Sequence, residues 1–203
     1  MSEYFHVEKP FLDQLAALGW QVIDQGNVIL TDPILSHRSS FRDVTLGDIF
    51  KQSVKSINTT SDDQEWLTTD QLDDLYEEVL NPPGNNLLEK NQNLLHFLLR
   101  DKEWKPTVDE NELTGEQNPE VKLIDFDHPE RNHFLAINQF RVDTPSKGKG
   151  HIRPDIVLFV NGLPLVVIEC KDANAFTANP MHEAIKQLHR YSDQREETHA
   201  AGL

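Results

Sequence analysis

The sequence predicts an α/β domain in which helices flank a central mixed sheet. Apolar residues recur at helical spacing before residue 120, β-branched runs dominate after it, and a Gly/Pro turn joins two apolar runs within 153–171. With 203 residues, the chain is long enough to bury a substantial core. We therefore expect one domain, 1–203, with a mostly helical part (1–120) and a sheet core with a final helix (121–203).

The first part contains helical patterns, several of which are bounded by Pro, Gly or Asn. Helices are predicted at 11–18, 46–57, 69–80, and from a cap at Asn85 or Asn86 to residue 99. Short strands are predicted at 20–23 and 28–30. The polar, acidic residues 101–120 are predicted to form a long loop.

The second part is predicted to contain strands at 121–126 and 134–142, followed by a β-hairpin within 153–171. Asn179 and Pro180 are a typical cap and first residue for a helix that runs to about residue 195.

The hairpin carries three charged residues on otherwise apolar runs: Asp155, Glu169 and Lys171. Because side chains alternate along a strand, Glu169 and Lys171 share a face and Cys170 lies on the other. Asp155 faces Glu169 only if the loop has an odd length, so we predict three loop residues, 161–163. A two-residue Asn-Gly loop would place Asp155 on the opposite face.

Two carboxylates and an ammonium on buried-looking strands need pairing or a metal ion, since burying charge is costly. Two hard oxygen ligands with a backbone carbonyl suit Mg²⁺, and a nearby lysine can stabilise developing charge during phosphodiester hydrolysis. The alternative is a surface hairpin whose Glu-x-Lys pair is merely solvated.

Pro154-Asp155 followed by Glu169-Cys170-Lys171 matches the PD-(D/E)xK nuclease pattern. The run RPDIVLFVNGLPLVVIECKDAN resembles the nuclease domain of the restriction (motor) subunit of type I restriction endonucleases. Further similar segments span the chain: HRSSFRDVTL, NNLLEKNQNLLHFLL, LIDFDHPERNHFLAINQF and AIKQLHRY.

The resemblance implies a restriction-endonuclease-like fold and Mg²⁺-dependent cleavage of double-stranded DNA, without sequence preference by this domain alone. It implies metal ligation by Asp155, Glu169 and the backbone carbonyl of Cys170, with Lys171 as the catalytic lysine. Most relatives are expected to carry an aliphatic residue at position 170. Methyltransferase and specificity subunits of a type I complex are the implied partners, and the implied location is the cytoplasm.

Gln187 and Tyr191 resemble the Gln-x-x-x-Tyr element that follows the nuclease core in this family. They share one face of the final helix, where they are expected to contact the scissile strand or steady Lys171; the alternative is ordinary packing. His151 and Arg153 flank Asp155 and are candidates for phosphate contacts. Glu89 is either a third acidic ligand or a capping charge.

The net charge of −15 opposes easy binding of nucleic acid. Residues 61–78 contain eight acids and no Lys or Arg, whereas 131–153 carry five basic residues against one acid. This basic stretch leads into the proposed site, either as a solvated loop or as a set of sequence-independent phosphate contacts. We expect weak, salt-sensitive DNA binding by this chain alone.

Other features restrict the class of protein. One cysteine excludes an internal disulfide, and no stretch has the apolar length of a membrane helix. No phosphate-binding Gly-x-x-x-x-Gly-Lys-Ser/Thr loop is present, so ATP is expected only in a full-length motor subunit. The resemblance implies that this chain is an N-terminal fragment or a truncated product of such a subunit. The competing functions are a non-catalytic docking module that keeps the nuclease fold, and a nuclease for RNA or flap structures.

Overall fold

The computed structural model describes residues 3–60, 62–99, 120–144, 150–173 and 179–192. The predicted loop at 101–120, except its last residue, lies outside these ranges. So do Ser146 to Lys149 of the predicted basic stretch.

The chain divides into two compact units. The sheet unit comprises residues 1–46, 134–159 and 163–203, and the helical unit comprises 47–133 and 160–162. Residues from the first part of the sequence therefore contribute to the unit that contains the sheet.

The sheet unit begins with a π-helical turn, Tyr4–Glu8, which continues into helix α1, Lys9–Ala17. Gly19 follows with a φ of 95°, a left-handed conformation that glycine adopts without steric cost and that ends the helix. The helix predicted at 11–18 is confirmed, and it starts two residues earlier. The π-helical turn was not predicted from the sequence.

The strands in chain order are β1 (Gln21–Ile23), β2 (Phe134–Asn138), β3 (Val142–Asp143), β4 (His151–Ile152), β5 (Ile156–Val160) and β6 (Leu163–Ile168). One sheet has the order β1-β2-β5-β6, and β3 pairs with β4 in a separate two-stranded sheet. β1 runs parallel to β2, with Val22 opposite Ala136. The predicted mixed α/β class is confirmed. The predicted strand at 28–30 is wrong, because these residues have no strand pairing.

The predicted strand at 134–142 is divided in two. Gln139 has a φ of 52°, which regular strand residues do not adopt. Its backbone N–H donates to the carbonyl of Asp155 at 2.7 Å, and Phe140 N–H donates to Pro154 at 3.1 Å. The chain therefore leaves β2 at Gln139 and enters β3 after a change of direction.

The predicted three-residue hairpin loop is wrong. β5 ends at Val160 and β6 begins at Leu163, so the loop consists of Asn161 and Gly162. Both residues have positive φ, 50° and 78°, as in the type I′ turn whose twist matches a β-hairpin.

The helical unit contains α2 (Gly47–Ile57), α3 (Thr69–Leu80) and α4 (Leu87–Leu98), which confirms three predicted helices. Thr68 and Gln71 form a capping box at the start of α3. The Asn86 side chain accepts a hydrogen bond from Glu89 N–H at 2.9 Å and caps α4.

In the sheet unit, α5 spans Pro180–Ser192 after the predicted Asn179 cap.

The predicted strand at 121–126 is wrong. The backbone of these residues forms hydrogen bonds with side-chain amides instead of with a neighbouring strand. Asn58 exchanges two hydrogen bonds of 2.8 Å with the backbone of Lys122. Asn132 exchanges hydrogen bonds of 2.8 and 2.9 Å with the backbone of Asp125, and Asn161 donates to Leu123 at 2.9 Å. We call Asn58, Asn132 and Asn161 the amide network.

The core of the sheet unit lies between α1 and the central strands. Leu12 and Leu15 of α1 pack with Ala136, Ile156 and Cys170, all of them buried. Within the described parts of the chain, no helix has the length and apolar character needed to span a membrane.

Candidate active site

The predicted site residues lie at one end of the β5–β6 hairpin. Asp155 immediately precedes β5, and Glu169, Cys170 and Lys171 immediately follow β6. Because the first strand begins where the second ends, the hairpin brings these residues together. Cys170 N–H donates to Asp155 Oδ2 at 2.8 Å.

Alternation along the strands therefore does not set the direction of the site side chains. Asp155 and Glu169 lie just outside the regular strands, where alternation of side chains no longer fixes the face. The predicted convergence of the three charged residues is present although the predicted loop length is wrong.

The Lys171 ammonium lies among oxygen atoms from four residues. Its Nζ is 2.8 Å from Glu169 Oε1 and 2.9 Å from the carbonyl oxygen of Cys170. Asp155 Oδ2 lies at 4.0 Å and Glu3 Oε2 at 3.7 Å. The Glu169 side chain has no exposed surface, and that of Lys171 is 21% exposed.

Burial determines the protonation of this pair. Burial, together with the nearby Asp155 carboxylate and despite the hydrogen bond from Lys171, raises the pKa of Glu169 to about 7. Burial by itself lowers the pKa of Lys171, but the hydrogen bond to Glu169 and the surrounding acids outweigh it and raise that pKa. The lysine is therefore charged at neutral pH.

Helix α5 brings Gln187 and Tyr191 to the same place. The Tyr191 hydroxyl lies 3.2 Å from Glu169 Oε2 and 3.3 Å from the carbonyl oxygen of Arg153, and it can donate to either. Gln187 Nε2 donates to the Tyr191 oxygen at 2.8 Å. Burial, followed by the charge of Glu169, raises the pKa of Tyr191 to about 12, so this group remains a hydrogen-bond donor at neutral pH.

The two other predicted residues are placed differently. Arg153 reaches the site through its backbone carbonyl. His151 is exposed on β4, opposite Asp143, and within the described residues no hydrogen bond or ion pair connects its side chain with the carboxylates. Arg141, another member of the basic stretch, is held within the sheet unit by Asp143 and by the carbonyl of Leu30.

Cys170 contributes backbone groups rather than its thiol. The side chain is buried in the core. Burial, with the acids near it, raises the pKa of the Cys170 thiol to about 12, so the reactive thiolate is not formed at neutral pH.

Glu89 lies in the first turn of α4. Its carboxylate accepts a hydrogen bond from Asn85 N–H at 2.8 Å, which is typical of an acid that caps the start of a helix.

Sequence reasoning missed two buried residues beside Asp155. Gln139 Nε2 donates to Glu8 Oε2 at 2.8 Å and lies 3.4 Å from Asp155 Oδ1. Burial raises the pKa of Glu8, although the hydrogen bond from Gln139 opposes this effect. A signal for Glu8 was available, because it precedes the buried Leu12 and Leu15 by four and seven positions on the same helical face.

We call the three acids Glu8, Asp155 and Glu169, together with the Lys171 ammonium beside them, the acid cluster. Among the described residues, no group of three or more His, Cys, Asp or Glu side chains is placed so that it could hold a metal ion. The oxygens of Asp155, Glu169 and the Cys170 carbonyl nevertheless surround one cationic group, the Lys171 ammonium. Two carboxylates and a carbonyl are the donors that Mg²⁺ accepts, with water completing its coordination, so these residues fit the ion.

Comparison with known proteins identifies relatives of the whole chain. The family model described as the type I restriction enzyme R protein N terminus matches residues 1–203. The MjaIXP type I restriction enzyme endonuclease subunit of Methanocaldococcus jannaschii is 30% identical over 172 residues, which are 84% of this chain and 15% of that protein. The HindI endonuclease subunit of Haemophilus influenzae is 30% identical over 189 residues, 93% of this chain and 16% of that protein. The chain thus spans about one sixth of the length of these relatives.

Proposed function

We propose that this chain, which belongs to the type I restriction enzyme R protein N-terminal family, cleaves double-stranded DNA by Mg²⁺-dependent phosphodiester hydrolysis. The main support for this proposal is that Asp155, Glu169, the Cys170 carbonyl and Lys171 lie together at one end of a hairpin. The relatives are named as endonuclease subunits of type I restriction enzymes, which supports a nuclease over a docking module.

The ligands proposed for the ion are Asp155, Glu169 and the carbonyl oxygen of Cys170. When bound, Mg²⁺ supplies Lewis-acid polarisation of a phosphate oxygen and a more acidic water. Cys170 N–H holds the second oxygen of Asp155 in place at 2.8 Å, so the backbone of one residue both fixes a ligand and supplies one.

Lys171 supplies positive charge beside the reacting phosphate. A preorganised cation in a partly dry site stabilises the negative charge that develops in phosphoryl transfer, and it can orient the attacking water. Tyr191 holds Glu169 at 3.2 Å, and Gln187 in turn fixes the Tyr191 oxygen. This relay gives the Gln-x-x-x-Tyr element a positioning role toward the metal ligand Glu169.

The rest of the reaction depends on other parts of the enzyme. With a net charge of −15, this chain is proposed to bind DNA weakly and without sequence preference. The methyltransferase and specificity subunits of a cytoplasmic type I complex are proposed to bring the target to it, and ATP is proposed to act on other domains of the subunit.

Substitution of Glu169 tests the proposal. In the full-length subunit assembled with its partners, we expect Glu169→Gln to reduce plasmid cleavage about 10²–10³-fold while ATP hydrolysis is unchanged. Glu77→Gln, at an exposed glutamate of α3, is the matched control and should cut normally. Undiminished cleavage by Glu169→Gln would favour the docking role instead.

A further inference from the structure

Gln139 is a buried residue in a conformation that its side chain does not favour. It is 2% exposed and has a φ of 52°, a region that glycine and asparagine occupy more readily than glutamine. Non-glycine residues with such backbones are found preferentially where a functional site requires them. The observed contacts of Gln139 show what this conformation achieves.

Gln139 contacts both acids on its side of the cluster. Its backbone N–H donates to the carbonyl of Asp155 at 2.7 Å. Its side-chain Nε2 donates to Glu8 Oε2 at 2.8 Å and lies 3.4 Å from Asp155 Oδ1. One side-chain amide therefore bridges two buried carboxylates that belong to different elements, the π-helical turn and the start of β5.

The chemistry of the neighbours fixes the orientation of this amide. Ionised carboxylates only accept hydrogen bonds, so the NH₂ end of Gln139 faces them and the carbonyl end points elsewhere. That oxygen, Oε1, is buried and has no hydrogen-bond partner among the described residues. The amide therefore uses its donor end for the two carboxylates at the cost of leaving its acceptor end without a partner.

We infer that Gln139 is a positioning residue of the nuclease site, holding Glu8 and Asp155 at a fixed separation. The inference rests on the proposed function, because Asp155 is the metal ligand on which Gln139 acts. In this inference Gln139 acts on the metal ligands, whereas Asp155, Glu169 and the Cys170 carbonyl contact the ion directly.

The test is Gln139→Met, which keeps the length of the side chain and removes its polar atoms. In the full-length protein, we expect the dissociation constant for Mn²⁺, measured by titration calorimetry, to rise 10–100-fold. The Mg²⁺ concentration for half-maximal cleavage should rise similarly, and excess Mn²⁺ should restore the rate. Gln71→Met is the matched control, since Gln71 is also a buried glutamine, 8% exposed, but caps a helix.

A purely structural role predicts a different result. In that case Gln139→Met would lower the melting temperature in EDTA, as is expected for Gln71→Met, and leave Mn²⁺ affinity unchanged, which would overturn the inference. If Gln139→Met fails to fold, Gln139→Gly replaces it, because glycine tolerates the positive φ while removing the amide. The same rise in the Mn²⁺ dissociation constant is expected, and its absence overturns the inference.

Glu169→Gln separates this inference from the proposed function. Normal Mn²⁺ binding and cleavage by Glu169→Gln would remove the proposed site altogether. Loss of both in Glu169→Gln, with wild-type Mn²⁺ affinity in Gln139→Met, would overturn only the role of Gln139.

Discussion

The amide network of the helical unit and the acid cluster of the sheet unit both bury polar side chains, but they differ in charge and in hydrogen bonding. Asn132 makes four hydrogen bonds of 2.8–3.0 Å, to Asp125, Pro129 and Asn161. In the acid cluster, burial raises the pKa of Glu8 and of Glu169, and the bridging Gln139 leaves an orphan oxygen.

This difference is informative about function. A neutral, satisfied network stabilises a fold, whereas a buried cluster with an excess of acids costs stability and is retained for another reason. The amide network takes the place of a strand ladder for residues 121–126. For the acid cluster, the proposed reason is the binding of a cation. Four predictions, from the largest expected effect to the smallest, test this distinction.

The largest effect is expected for cleavage after Lys171→Met. Removing the ammonium from the acid cluster should reduce the cleavage rate about 10²–10³-fold, because one preorganised charge is lost. Plasmid cleavage at saturating Mg²⁺ measures this rate. Lys55→Met is the control, since Lys55 forms a half-exposed ion pair with Glu65 at 2.9 Å. Equal rates for the two variants would mean that Lys171 has only a structural role.

Asn132→Leu should have the largest effect on stability. The substitution leaves the backbone N–H and carbonyl of Asp125 without partners and removes one of the two hydrogen bonds that the Asn161 amide donates. Each buried orphan costs about 1–3 kcal/mol. We expect the free energy of unfolding to fall by about 3 kcal/mol in urea titrations, with unchanged metal affinity. Asn91→Leu, at an exposed position of α4, should change it little. A weakened Mn²⁺ affinity in Asn132→Leu would contradict the separation of the two clusters.

The pH dependence of stability should come from the acid cluster. Without metal, Glu169 binds its proton more tightly in the folded state, with a pKa of about 7 against an ordinary 4.5. The folded chain then holds more protons than the unfolded chain between these values, so stability falls as pH rises through this window. Urea unfolding in EDTA from pH 5 to 8 should show this decline, and Glu169→Gln should flatten it. An equal slope in both proteins would assign the decline to other groups.

The smallest effect is expected at a helix cap. Thr68→Ala removes the capping box of α3 and should cost about 1 kcal/mol of unfolding free energy, without a change in cleavage. The neighbouring exposed Thr69 provides the control, since Thr69→Ala leaves the cap intact. Thermal unfolding of the two variants measures the difference, and identical melting temperatures would show that the cap contributes nothing.

Local patterns predicted much of this molecule. Pro, Gly and Asn residues marked ends of α1, α3, α4 and α5, and the apolar pattern indicated α2, because caps and helical periodicity are short-range properties. The two apolar runs around Asn161-Gly162 predicted β5 and β6. The same reasoning failed at 121–126, where an apolar run looks like a strand but Asn58, Asn132 and Asn161 supply its hydrogen bonds from distant positions.

The hairpin loop shows a second limit. The expected face of Asp155 depended on regular alternation along both strands, and the loop length was chosen to satisfy it. In the structure Asn161 and Gly162 form a two-residue turn, and Asp155 meets residues 169–171 from outside the strands. Alternation is a property of paired backbone, so it does not hold for residues just beyond the last pair.

By itself, the sequence determined which residues are proposed to carry the chemistry, because Pro154-Asp155 and Glu169-Cys170-Lys171 form a pattern of residue types and spacing that can be seen without a structure. The tertiary structure alone decided which further groups join them. Gln139 joins Asp155 through a backbone hydrogen bond made after the end of β2. Glu8 lies far from residue 155 along the chain, and only the fold brings it to Gln139 beside Asp155. Contacts of this kind depend on the fold of the whole unit, and no local spacing records them.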